Sequence, residues 1–177
     1  MNISENTIIA IQTLVNSAFN TNSILDRAKS VLNAKLDCPN IGKLVHELAH
    51  KYSLDIADTI GDLIENYDIV VDYGNIPTHV EDYKSVREVL DRVLEVTIDF
   101  ENALNMATKI AFDNMDLHIY NGLLEVIEEH TKYVQQALLW SGIAKKYGDN
   151  PSLDVHIGTH YDILSEGDWY DYHRRTT

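Results

Sequence analysis

Helix breakers are scarce in this chain: 177 residues contain three prolines and eight glycines. Long helices can therefore run uninterrupted. The lone Cys38 excludes an intrachain disulfide, which fits a reducing, cytoplasmic setting. Positive charge is scarce too, with 14 Lys and Arg against 28 Asp and Glu and a formal net charge of −14. Such a body repels phosphate backbones and anionic membranes. Residues 1–6 hold no lysine or arginine, so they read neither as a basic DNA-binding arm nor as a signal peptide. Arg174-Arg175 is too small a cluster for a nucleic-acid motif. No apolar run approaches the roughly 18–20 residues of a membrane span. Strand-like alternation and internal repeats are also missing.

What is present is helical periodicity. Ile8, Ile11, Val15, Ala18, Leu25, Ala28 and Leu32 predict one helix over 7–36, with a disturbance around Asn20–Asn22. Asp37 to Asn40 ends it, and Asn40 can cap the next helix. A second helix is predicted from Ile41 to Asp72, with Val45, Ala49, Tyr52, Ile56, Ile60, Leu63, Tyr67 and Val70 as its apolar stripe. Its other face holds Glu47, Lys51, Asp55, Asp58, Asp62 and Glu65, by default a solvated surface. Gly74 and Pro77 close it, and 75–84 is a connection. Ser85-Val86-Arg87-Glu88 has the pattern of a capping box and opens a third helix with Val86, Val89, Val93, Val96, Phe100, Leu104, Ala107 and Ile110 inward. After a turn at Asp113–Asp116, the fourth helix carries Ile119, Leu123, Ile127, Val134 and Leu138 to about Gly148. Residues 1–148 thus read as a four-helix bundle. From 149 to 177 the pattern is lost, and an irregular tail follows with Asp154, His156, His160, Asp162, Asp168, Trp169, His173 and several tyrosines. Its aromatic content suggests that it docks on something. Surface or structural roles suit His156 and His160 better than metal binding.

The residues with the clearest chemistry are His46-Glu47-Leu48-Ala49-His50. On a helix, residues four apart share a face, so both imidazoles can reach one metal. One reading is a zinc peptidase, with His46 and His50 as ligands, Glu47 as general base and Glu65 as a third ligand. It needs a substrate-holding strand, and the sequence shows none. The other reading is a carboxylate–histidine iron site in a helical bundle. Counted from His46 on an ideal helix, His50 falls at about 40°, Gly61 at about 60°, Glu65 at about 100° and Asp58 at about 120°. Ala57 and Gly61 on this arc suggest a close helix contact between subunits. His46 and Glu65 lie about 28 Å apart along the axis, so they share a metal only across a two-fold axis between antiparallel copies. The bland reading is a polar interface rim without metal.

The stretch Asn33–Pro77 resembles the DNA-protection-during-starvation (Dps) family of miniferritins, through Pro39, His46-Glu47, Glu65, Gly74 and Pro77. Asn121-Gly122-Leu123-Leu124 and Glu128-Glu129-His130 are similar to that family's last helix. The likeness spans most of residues 7–148. It departs at Asn33, where a His ligand is expected and Ala34 follows in place of Trp. Further departures are His50 and Gly61, each in place of an Asp, and Lys132 in place of a Trp. The resemblance implies an all-α, ferritin-like bundle assembling into a hollow dodecamer. It implies Fe(II) oxidation at inter-subunit sites and storage of ferric iron. The expected ligands are His46, His50, Asp58 and Glu65, open to iron and also to zinc. The resemblance also places a three-fold pore at Asp113 and Asp116, with His118 beside them; capping by Asp113 and Asn114 is the competing reading. A shell that has lost ferroxidase activity is the alternative in the same fold. Direct DNA binding and membrane association are not expected.

Overall fold

The computed structural model describes residues 2–148 and 150–160, with side chains described to residue 157. Its elements are α1 (Glu5–Ala34), α2 (Pro39–His50), a π-helical turn (Lys51–Ile56), α3 (Ala57–Glu65), α4 (Val86–Asp113), α5 (Leu117–Tyr147) and α6 (Leu153–His160). The described residues contain no strand. α2, the π-turn and α3 form one continuous rod, the second helix of a four-helix bundle. The rods run up, down, down and up, because the segment between α3 and α4 travels back along α1 before α4 begins. One long crossover of this kind characterises ferritin-like bundles.

α1 begins where the Ser4 hydroxyl accepts the Thr7 amide at 3.2 Å. It runs without the disturbance expected around Asn20–Asn22. Two of its asparagines, Asn16 and Asn20, hold the crossover. Asn16 Nδ2 donates to the Asp72 carbonyl at 3.1 Å and its Oδ1 accepts the Gly74 amide at 2.7 Å. Asn20 Oδ1 lies 2.8 Å from His79 Nε2. Arg27 donates to the Glu81 carbonyl at 2.8 Å, and Lys35 reaches Asp82 at 2.6 Å. Side-chain bonds thereby satisfy a backbone stretch that lacks a ladder of its own.

The second rod corrects the sequence reading in two ways. It stops at Glu65, not Asp72: Asn66–Asp68 form a turn and Asp68 adopts a left-handed φ of 61°. Tyr67 and Val70 therefore lie outside the helix. The rod is also not one regular α-helix. Before the turn the buried residues are Ile41, Gly42, Leu44, Val45, Leu48, Ala49 and Tyr52; after it they are Ile56, Ala57, Ile60, Gly61 and Ile64. On an ideal wheel these stripes are about 100° apart, a one-residue misregister. The π-turn absorbs one extra residue and brings them back onto a single face. Ile64, not Leu63, is consequently the core residue. Ala57 and Gly61, expected at a subunit contact, are buried within the chain, and a Cβ on Gly61 would lie 3.6 Å from Val71.

α4 opens as expected, with the Ser85 hydroxyl accepting the Glu88 amide at 3.2 Å. α5 buries Ile119, Leu123, Val126, His130, Tyr133, Ala137, Trp140 and Ala144, an uninterrupted heptad seam. Ile127, Val134 and Leu138, read as its stripe, flank this seam, and Leu138 is 50% exposed. Gly148, at φ 55°, ends α5. The region read as irregular then forms α6, with Leu153 and Ile157 buried against the core. α6 is fixed by Asp154, whose Oδ1 accepts the Ile41 amide at 2.8 Å and whose Oδ2 accepts Asn40 Nδ2 at 2.8 Å. The α2 N-terminus is thus capped from α6 rather than by Asn40 itself. Trp169 and the other tail residues beyond 160 lie outside the described residues, as does the side chain of His160.

Candidate functional site

The outward flank of the second rod holds the residues singled out by sequence. His46 and His50 are neighbours, with ring centroids 4.1 Å apart. His46 Nδ1 lies 2.8 Å from Asp26 Oδ1 on α1. With the Nδ1–H donated to that carboxylate, Nε2 carries its lone pair outward. A carboxylate behind a histidine is the usual support of a metal-binding imidazole, fixing its tautomer and raising its basicity. Asp26 was not anticipated, because a residue twenty positions earlier meets His46 only once α1 packs on α2. Lys51, which follows His50, is neutralised by Asp55 at 2.9 Å.

Asp58 and Glu65 are exposed further along the rod. The π-turn changes their direction. One extra residue rotates everything beyond it by about 100°. Counted from His46, Asp58 then lies at about 20° and Glu65 at about 0°, in line with His46 and His50. All four share one outward strip, narrower than the arc read on an ideal helix. Axial separation still keeps them apart within one chain, and no three His, Cys, Asp or Glu side chains converge on a metal position among the described residues. A single-chain zinc-peptidase site therefore finds neither a third ligand nor a substrate strand there. Glu47 lies beside the strip with its Oε1 3.7 Å from Lys43 Nζ and its buried Oε2 without a hydrogen-bond partner.

At the α4–α5 turn, Asp116 Oδ2 accepts from the Ser4 hydroxyl at 2.9 Å and the Ser4 amide at 3.2 Å. It thus ties the start of α1 to the turn. Asp113 pairs with Lys109, and Asn114 Nδ2 donates to the Ile110 carbonyl at 2.8 Å. His118 lines a small cavity with Asp116 and Tyr67.

The interior holds a second polar constellation, which the sequence reading left out. Tyr52, His130 and Tyr133 are buried where the π-turn faces α5. The Tyr52 hydroxyl lies 2.8 Å from His130 Nε2, and His130 Nδ1 makes a short contact with the Glu101 carboxylate. The consistent proton arrangement is Nδ1–H donating to Glu101 and Tyr52 O–H donating to Nε2. Burial holds the imidazole pKa below its ordinary value, opposed by the hydrogen bond and charge of Glu101. Burial likewise drives the Tyr52 phenol far above its usual range, offset in part by the Thr97 hydroxyl. Tyr133 is raised by burial and then by Glu129 and Asp55; its hydroxyl donates to Glu129 at 3.3 Å.

Ferritin-like di-iron bundles project a Glu from each of two helices and a Glu-x-x-His from each of the other two into this space. Here Leu48, Tyr52, Thr97, Phe100, His130 and Tyr133 are buried there, and only Glu101 and His130 are ligating groups. The set does not fit a dinuclear iron centre. The Glu47/His50 pair has the E-x-x-H spacing but lies on the outward flank. The seam of α5, extended through position 130, was the signal that would have placed His130 inside.

No protein-family model matches this chain, and no curated protein matches it either. Solved structures do. A closed form of the Archaeoglobus fulgidus ferritin, engineered by site-directed mutagenesis, aligns with a TM-score of 0.84 and 13% identity, covering 92% of this chain and 98% of that one. The open-pore ferritin of the same archaeon gives 0.83 and 13%, covering 91% and 97%. The M. penetrans ferritin gives 0.79 and 12%, covering 89% and 96%. The shared architecture, together with the single long crossover, makes this chain an all-α protein with the ferritin-like four-helix fold.

Proposed function

We propose that this chain is the subunit of a Dps-like, hollow homo-oligomeric shell that takes up Fe(II), oxidises it at inter-subunit sites and stores ferric iron. The observation that carries the reading is the outward strip. His46, backed by Asp26, lies in line with His50, Asp58 and Glu65, and antiparallel pairing would join its two ends. The midpoint between His46 and Glu65 falls at Asp55–Ile56, beside Leu54, an apolar side chain left 57% exposed. Val70, Tyr73 and Val80 on the crossover are 80%, 66% and 74% exposed, a set of apolar groups that suits burial against a second copy. At such a two-fold axis, His46 and His50 of one subunit would face the partner's carboxylates. Imidazole with carboxylate suits Fe(II) and also Zn(II).

Among the described residues the bundle interior offers only Glu101 and His130 as ligating groups, too few for a dinuclear centre, so the proposed chemistry depends on the interface. Two imidazoles and one or two carboxylates suffice for one metal and are meagre for two, so oxidation is slow. Ion uptake at the α4–α5 turn belongs to the same reading: Asp113 and Asp116 supply negative charge to a three-fold pore, with Asp116 also fixing the turn through Ser4. Assembly as the dodecamer implied by the Dps resemblance gives a native mass twelve times the 20.1 kDa chain. Glu65→Gln should weaken metal binding and slow Fe(II) oxidation, whereas Glu47→Gln should leave both largely intact. Fe(II) titration followed by oxidation kinetics on the assembled protein checks this. A measurable peptide hydrolysis abolished by Glu47→Gln and untouched by Glu65→Gln would instead favour the peptidase arrangement.

A further inference from the structure

The interior constellation is not used by the outward site, yet it is chemically specific. The Tyr52 hydroxyl meets one base, His130 Nε2 at 2.8 Å, and the opposite ring nitrogen meets the Glu101 carboxylate. Burial disfavours the free phenolate of Tyr52. The hydrogen bond to His130 Nε2 offers the phenol another reaction, loss of an electron while the proton crosses that bond. The imidazole is neutral and ready to receive it, and the resulting imidazolium would rest against Glu101. Tyr133 touches the Tyr52 ring with centroids 6.0 Å apart and also lines a cavity of about 120 Å³ with Asp55, Thr59, Glu125 and Glu129. The two rings therefore form a path from the buried phenol towards the surface.

We propose that Tyr52, with His130 as proton acceptor and Glu101 behind it, is a proton-coupled one-electron donor that quenches oxidising radicals reaching the bundle. For a hydroxyl radical, the product of Fe(II) and hydrogen peroxide, the step balances as follows. The radical gains one electron and becomes hydroxide. Tyr52 loses that electron and its O–H bond, and the proton forms an N–H bond at His130 Nε2. Fe(II) or another one-electron reductant later returns the electron, and the proton moves back to the phenol oxygen. Only the origin of the radical rests on the iron reading; the relay itself does not.

The test therefore uses no iron. Flash photolysis of a ruthenium tris-bipyridyl sensitiser with persulfate oxidises tyrosines in the assembled wild-type protein, and electron paramagnetic resonance follows the radicals. We expect a tyrosyl signal that outlives the surface radicals at least tenfold and is absent in Tyr52→Phe. That variant keeps the ring and its packing, and unchanged circular dichroism would show that the fold is retained. In His130→Leu the long-lived signal should be lost or shortened at least tenfold, and in wild type it should show hyperfine coupling to one exchangeable hydrogen-bonded proton. An equally long-lived signal in Tyr52→Phe would overturn the proposal, as would a wild type with only short-lived surface radicals. Either result would leave the interface site untouched.

Discussion

Two histidines of this chain show how position decides chemistry. His46 keeps a half-open imidazole with Asp26 behind it, so its free nitrogen is available to a metal. Asp26→Asn should lower metal affinity about 10- to 100-fold, the usual effect of losing the carboxylate behind a metal-bound histidine. Isothermal titration with Zn(II) under conditions that preserve the assembly measures it. An unchanged affinity would mean that the imidazole needs no such support. His130 is buried, and its folded pKa lies below the ordinary 6.5. Between the folded and unfolded values the unfolded chain binds more protons, so stability rises with pH there. The contribution is present in full above about 6.5 and is lost as pH falls through the folded value. Urea unfolding of wild type and His130→Gln, followed from pH 7.5 to 5, should show a steeper loss in wild type. Parallel curves would contradict this assignment.

Much of the helical framework is visible in the sequence, because long stretches with few prolines and glycines carry clean apolar periodicity. The Ser85–Glu88 cap, the Asp113–Asp116 turn and the Gly148 stop were all legible as local chemistry. The second rod was not, since its two stripes fit one straight helix only if each is read loosely. Their mismatch by one residue is the signature of the π-turn, and it moved Glu65 and Asp58 into line with His46. Asn20 looked like part of a helix disturbance because its partner, His79, lies 59 positions away. α6 was missed because eight residues give too little periodicity to read, and its anchor is a single carboxylate on a distant helix end. Asp154→Ala should cost about 0.5–2 kcal/mol, the range for removing a helix cap. It should also speed amide hydrogen exchange at Asn40, Ile41 and along α6. If exchange there stayed as in wild type, the carboxylate would not be what fixes α6.

The whole molecule combines a ferritin-like bundle with an interior tyrosine–histidine–glutamate chain. The candidate ligands His46, His50, Asp58 and Glu65 lie on an outer strip, and among the described residues of one subunit no three metal-binding side chains converge. The net charge of −14 suits attraction of cations far better than contact with DNA, and no described helix is long and apolar enough to cross a membrane. Metal binding and assembly should therefore be one property: subunits that do not associate cannot complete the site. Native mass spectrometry of the protein loaded anaerobically with Fe(II) reads both at once. A large closed oligomer carrying one tightly held iron per subunit is expected. A monomer that retains the iron, or a closed shell that retains none, would contradict it.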